Sequence, residues 1–107
     1  MRFDCLENSY DLLADLRAPL GKIRRADPKL YQQLRSASTS IAMNVAEGRG
    51  RVGKDRTHHW RIALGSAEEV RAILRVAEAL GDLAASDATK ARERLDKIVP
   101  MLWKMTH

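Results

Sequence analysis

The feature of this sequence that most constrains its fold is an apolar pattern with the period of an α-helix. Four segments of similar length carry it, separated by the Asp27-Pro28 pair, a glycine cluster at positions 48–53, and Gly81-Asp82. Such a stripe turns one side of a helix toward a core, and no segment alternates with the period of two that strands require. The sequence therefore predicts an all-α protein. In the first segment the apolar residues three, four or seven positions apart are Leu6, Leu13, Leu16, Leu20 and Ile23.

The length of 107 residues fits one domain, spanning residues 1–107. Because short connections favour antiparallel neighbours, the four segments predict an up-down-up-down four-helix bundle. Pro19 should kink or interrupt the first helix and Pro100 should bend the last, while Ser86 is the predicted N-cap of the fourth helix. Apolar residues outside the stripe of the third helix indicate a second buried surface and hence an oligomer; they are Trp60, Leu64 and Val76.

Several classes of function find no support in the residues. The single cysteine, Cys5, excludes an internal disulfide framework and a cysteine-rich zinc module. No glutamate has a histidine three residues later, as di-metal bundles need, and only Asp55 and His58 approach that spacing. The glycines at 48, 50 and 53 match a dinucleotide-binding spacing but follow a helix instead of a strand. We expect a protein that is not an enzyme and binds neither cofactor nor metal.

The cellular location is expected to be the cytoplasm. The longest uncharged run, residues 36–46, is too short and too polar to span a bilayer. The N-terminal segment is acidic, unlike a secretory signal or a transit peptide.

Positive charge concentrates at one end of the predicted bundle. The chain has 19 Lys and Arg against 14 Asp and Glu, a net charge of +5. The turn between the second and third helices should share an end with both termini, which also brings Arg2 there, whereas the opposite end carries both signs. A concentrated positive field attracts phosphate backbones without reading sequence; the alternatives are a solvated charged surface and a scaffold that binds an acidic protein. The candidate nucleic-acid contacts are Arg49, Arg51, Lys54, Arg56 and Arg61, with Lys97 and Lys104 as weaker candidates.

Two polar pairs lie among small or apolar residues on the second and third helices. Asn44 and Glu47, and likewise Ser66 and Glu69, are three residues apart and so share a helix face. They predict a buried polar network that fixes the register of the two helices. The alternative is ligand or RNA contact by Asn44 and Glu47.

Two stretches of the chain, in register, resemble a known protein family. The first is similar to a signature that family carries in its second helix, and the second to a signature in its third. Phe3 and Leu6 match the usual start. The stretches are Gln33-Leu34-Arg35, Ser40-Ile41 and Asn44–Arg51, then Lys54-Asp55 and Arg61–Glu69. The family is that of the four-helix bundle proteins encoded in ribosomal-RNA intervening sequences.

The resemblance implies a four-helix bundle that assembles as a homopentameric, ring-shaped barrel with a central channel. The family is also similar to the accessory variability determinant of diversity-generating retroelements, which binds nucleic acid and a reverse transcriptase through a basic surface. We therefore expect a nucleic-acid-binding accessory protein that assists a reverse transcriptase, with RNA or DNA and further copies of itself as partners. The alternative is an interaction scaffold with no direct role in nucleic-acid binding.

Overall fold

A computed structural model describes residues 3–107 of the chain, and this part is almost entirely helical. No strand occurs within residues 3–107, which confirms the predicted all-α class. The molecule is elongated, measuring 42 × 23 × 20 Å. Its elements are α1 (Asp4–Asp15), α2 (Arg17–Ala26), α3 (Pro28–Arg49), α4 (Gly53–Ala79), a 3₁₀ turn (Ala85–Ala88) and α5 (Thr89–Thr106).

The breaks between helices follow the residues that cannot continue them. The side chain of Asp27 accepts a hydrogen bond from the Leu30 amide at 3.1 Å, and Pro28 opens α3, as expected of an Asp-Pro cap. Gly53 starts α4 with φ +59°, a left-handed conformation that glycine adopts readily. The predicted interruption near Pro19 is confirmed, because the first segment divides into α1 and α2 at Leu16.

The start of the last helix differs from the prediction. Ser86 lies within the 3₁₀ turn, and α5 begins at Thr89. Among the described residues, no side chain caps α5 itself; Asp87, inside the 3₁₀ turn, accepts the Ala84 amide on its Oδ2 at 3.0 Å and so stabilises the start of that turn. At the other end, α5 continues past Pro100 to Thr106.

Cross-helix contacts give the directions of neighbouring helices. Between α3 and α4, Asn44 meets His59 while Ser40 meets Ser66. Because one number rises as the other falls, these helices run in opposite directions. The same relation holds between α4 and α5, where the pairs are Arg61 with Thr106 and Arg71 with Asp96.

One end of the molecule therefore collects three parts of the chain, and we call it the turn pole. It comprises the α3–α4 turn (residues 48–56), Phe3, and the last turn of α5. Phe3 lies 6.2 Å from Trp60 between ring centroids, and Arg61 donates to the Thr106 carbonyl. The predicted meeting of the α3–α4 turn with the chain ends is confirmed for the described residues.

The core follows most of the predicted stripe in the first segment, where Leu13, which is half-buried, is the only one of the five named residues that lies neither in the core nor against it. Trp60 and Leu64, which the pattern placed outside the stripe, also pack against this core, whereas Val76 is exposed. Cys5 is buried, and burial raises the pKa of its thiol to about 11, so the reactive thiolate is disfavoured. Within residues 3–107, no helix has the length and apolar character needed to cross a bilayer. The largest fully buried side chains include Leu12, Leu16, Ile23, Leu34, Ile41, Leu74, Leu95, Ile98 and Leu102.

Candidate nucleic-acid interface

The turn pole brings together most of the cations that the sequence singled out. Arg2 lies outside the described residues. The side chains at the pole fall into two groups, those bound to the protein itself and those open to solvent. The predicted contacts found there are Arg49, Arg51, Lys54, Arg56, Arg61 and Lys104.

Arg51 is held between two carboxylates. Its Nη2 lies 2.6 Å from Glu47 Oε1, and its Nη1 lies 2.8 Å from Asp55 Oδ2. The hydrogen bond and charge of Arg51 lower the pKa of Glu47, and the two acids raise the pKa of Arg51. The charge of this arginine is already matched by its neighbours, so it is a poor candidate for phosphate.

Arg56 and Arg61 bind carbonyl groups at helix ends. Arg56 Nε donates to the Gly48 carbonyl and its Nη2 to the Arg49 carbonyl, both at 3.1 Å, and its guanidinium lies 5.3 Å from the Trp60 ring centre. Arg61 Nη2 donates to the Thr106 carbonyl at 3.3 Å. The last carbonyls of a helix have no intrahelical partner and attract cations. Both arginines thus stabilise helix ends, while Arg61 stays largely exposed.

Three cations of the turn pole form no ion pair with any carboxylate in residues 3–107. Arg49 is exposed and its guanidinium lies 5.0 Å from the centre of the Phe3 ring. Lys54 and Lys104 are exposed without a hydrogen-bonded partner among the described residues. These three side chains are free to bind an anion.

An exposed aromatic side chain lies beside Lys104. Trp103 is 57% exposed and stacks on His107, with ring centroids 3.5 Å apart and planes 13° apart. Flat rings of this kind can stack on nucleic-acid bases. Sequence reasoning did not select Trp103, although an aromatic residue next to a candidate lysine was the available signal.

Lys97 does not share the surface of the turn pole. It lies two helical turns before Lys104 on α5, in a groove that also contains Asp15, Lys90, Glu93 and Arg94. Two carboxylates in that groove reduce the positive potential around Lys97.

A polar network joins α3 to α4, but its members differ from the prediction. Asn44 Nδ2 donates to Ser40 Oγ at 3.1 Å, and Ser66 Oγ donates to the same oxygen at 2.9 Å. Asn44 Oδ1 lies 3.1 Å from His59 Nδ1. Glu47 is exposed and forms an ion pair with Arg51, so it is not a direct member of this network.

Glu69 takes no part in this network. It is exposed and has no hydrogen bond or ion pair with another residue in the range 3–107. The predicted network was wrong in this member and in being buried, because Asn44 and Ser66 are half-buried at the edge of the helix pair. Ser40 and His59 were missed, although Ser40 precedes Asn44 by four residues and so lies on the same helix face.

Comparison with known protein families gives a match over almost the whole chain. The model of a family described as 23S rRNA-intervening sequence protein matches residues 3–104. None of the curated proteins compared with the chain matches it.

Proposed function

The chain belongs to the 23S rRNA-intervening sequence protein family, and on this premise we propose that it is a non-enzymatic accessory protein that binds RNA or DNA. The observation that carries the proposal is the group of unpaired cations at the turn pole, Arg49, Lys54 and Lys104, beside the exposed ring of Trp103. The binding surface has fewer available cations than the sequence predicted, because Arg51 is paired with carboxylates and Arg56 binds backbone carbonyl groups.

Electrostatics gives this surface its expected properties. Cations that approach phosphates release condensed counterions, so affinity falls linearly with the logarithm of salt concentration. Such contacts position a nucleic acid without specifying its sequence. The part of the Trp103 ring that His107 leaves exposed adds a platform that can stack on any base of a single strand.

A double variant at the turn pole tests the proposal. Lys54→Gln with Lys104→Gln removes two charges that form no hydrogen bond or ion pair within residues 3–107. At about 0.1 M salt we expect about 25-fold weaker binding of fluorescein-labelled oligouridine, with the salt slope reduced by about 1.4, since each single-strand phosphate contact contributes about 0.7. Fluorescence anisotropy at several salt concentrations gives both quantities.

The matched control removes the same charge elsewhere. Arg71→Gln with Arg75→Gln also lowers the net charge by two, but both arginines already face carboxylates, those of Asp96 and Glu78 respectively. We expect less than about a threefold change, because paired charges attract few further anions. Equal losses in the two variants would refute a specific surface at the turn pole. No binding of oligouridine or duplex DNA by the parent would refute the nucleic-acid role and favour the scaffold.

We further propose that the protomer is an antiparallel four-helix bundle and that five copies form a ring. The opposite directions of α3 and α4, and of α4 and α5, support the bundle. An exposed apolar row on one face of α4 supports assembly, since Ile62, Val76 and Leu80 are 39%, 45% and 63% exposed and lie within about 40° of one another around the helix axis. Assistance to a reverse transcriptase stays a prediction from the resemblance.

Light scattering tests the assembly. We expect the parent to have about five times the protomer mass of 12.0 kDa. Val76→Glu should shift the protein toward the protomer mass, because a charge would have to be desolvated at the interface. Val52→Glu is the matched control, since Val52 is 79% exposed on the α3–α4 turn and away from the row. If the parent protein has the mass of a single protomer in light scattering, the proposed ring is refuted.

A further inference from the structure

A second group of cations lies where α2 meets α3, at the end opposite the turn pole. Tyr31 is at its centre, because the Arg24 guanidinium lies 5.5 Å from the ring centre and Arg35 Nη1 donates to the Tyr31 hydroxyl at 3.5 Å. Arg25 and Lys29 flank the pair, in the last turn of α2 and the first turn of α3. We call these five residues the corner cluster.

The sequence placed Asp82 and Asp87 at this end, and neither forms an ion pair with the corner cluster within residues 3–107. Asp87 pairs with Lys22 at 2.7 Å and accepts the Ala84 amide, and these contacts lower its pKa. Asp27 caps the start of α3 through the Leu30 amide. None of the four cations of the corner cluster has an ion pair with a carboxylate in residues 3–107. This end carries both signs, as the sequence predicted, but the cations of the corner cluster are left unpaired among the described residues.

The fold explains only part of this charge. Arg24 and Arg25 are favoured by the negative end of the α2 dipole, but Lys29 lies in the first turn of α3, where a cation is disfavoured. Arg35 is exposed in the body of α3. The only hydrogen bond or ion pair of its side chain within the described residues is the long hydrogen bond to Tyr31, which adds little stability.

The character of the corner favours a polyanion over a protein. Protein interfaces have an apolar core. The corner has none, because no large exposed apolar side chain of the described residues lies on α2 or on residues 28–42 of α3. The large exposed apolar side chains are Tyr10, Met43, Val52, Ile62, Val76, Leu80 and Trp103. Guanidinium groups suit phosphate because they can donate two parallel hydrogen bonds. Two of these groups, those of Arg24 and Arg35, lie beside Tyr31.

We propose that the corner cluster is a second phosphate-binding surface that takes a separate segment of RNA backbone. The inference rests on the proposed nucleic-acid function but involves none of the residues of the turn pole. α3 has 22 residues, so the two surfaces are about 30 Å apart at 1.5 Å per residue. One protomer would then hold two RNA segments, or two distant parts of one RNA.

Variants of the two surfaces separate the two claims. Arg24→Gln with Arg35→Gln should weaken oligouridine binding at about 0.1 M salt, and combining these changes with those at Lys54 and Lys104 should remove about 25-fold more affinity than the turn-pole changes alone. The control is Arg71→Gln with Arg75→Gln on the same turn-pole background, which lowers the net charge equally. Circular dichroism verifies that each variant is folded.

Each outcome decides between the proposals. If the corner changes have no greater effect than the control while the turn-pole changes weaken binding, the corner inference is wrong and the proposed function stands. If the corner changes weaken oligouridine binding and the turn-pole changes do not, the corner surface is upheld and the proposed binding surface at the turn pole is wrong. If polyglutamate competes as well as RNA of equal charge at the corner, the surface recognises acidic protein and the inference fails.

Discussion

Replacing Gly48 with alanine should lower the free energy of unfolding by about 2–4 kcal/mol. A Cβ at this position would lie 2.5 Å from Trp60 Nε1, 2.6 Å from Trp60 Cδ1 and 3.1 Å from the Arg56 carbonyl oxygen. The indole is rigid and packs against the core, so it must move as a whole. Its movement would break the hydrogen bond from Nε1 to the Val45 carbonyl, now 3.2 Å long. Urea denaturation followed by circular dichroism measures the loss.

Gly65→Ala is the matched control for this change. Both glycines are inside helices, but a Cβ at Gly65 meets nothing within 4 Å. Because alanine favours a helix over glycine, we expect Gly65→Ala to raise the free energy of unfolding by up to about 1 kcal/mol. A Gly48→Ala protein as stable as the parent would show that α3 and α4 do not approach each other so closely at Trp60.

Replacing Arg92 with methionine should lower the free energy of unfolding by about 2–3 kcal/mol, somewhat less than for fully buried pairs. Arg92 forms an ion pair with Glu78 that joins α5 to α4, and the two side chains are 29% and 11% exposed. Arg92 Nη1 also donates to the Ala85 carbonyl at 3.2 Å, which fastens the 3₁₀ turn. Without the guanidinium, the buried Glu78 keeps only Arg75, a largely exposed side chain 3.5 Å away.

Two further variants separate the charge from the packing. Arg71→Met removes a cross-helix pair whose partner Asp96 is 73% exposed, so its cost should be below about 1 kcal/mol. Adding Glu78→Leu to Arg92→Met should recover part of the loss, since the uncompensated buried carboxylate is then gone. If Arg92→Met costs no more than Arg71→Met in urea denaturation, the pair contributes no special stability.

The helices were largely predictable because their signals are local. Asp27-Pro28 acts within one turn, and Pro19 blocks the backbone hydrogen bonds of its own segment. The prediction for Ser86 was wrong because a 3₁₀ turn precedes α5, and the Asp87 side chain in that turn binds both the Ala84 amide and Lys22, 65 residues away along the chain. A local pattern carries no information about such a partner.

The sequence predicted where the candidate binding surface lies, but not which side chains are available on it. The sequence put the candidate cations at one pole, and those within residues 3–107 do meet there, except for Lys97. It could not distinguish Arg51, clamped by Glu47 and Asp55, from Lys54, which is open to solvent. Nor could it show that Asp87 pairs with Lys22 and with no cation of the corner cluster.

By itself, the sequence determined the helical class, the positions of most breaks and the net positive charge, because these depend on residue type and on spacing within a few turns. Only the tertiary structure decided which cations are neutralised and which stay free, and how closely Gly48 meets Trp60. Those properties depend on distances between side chains far apart in the chain, and such distances exist only once the helices have packed.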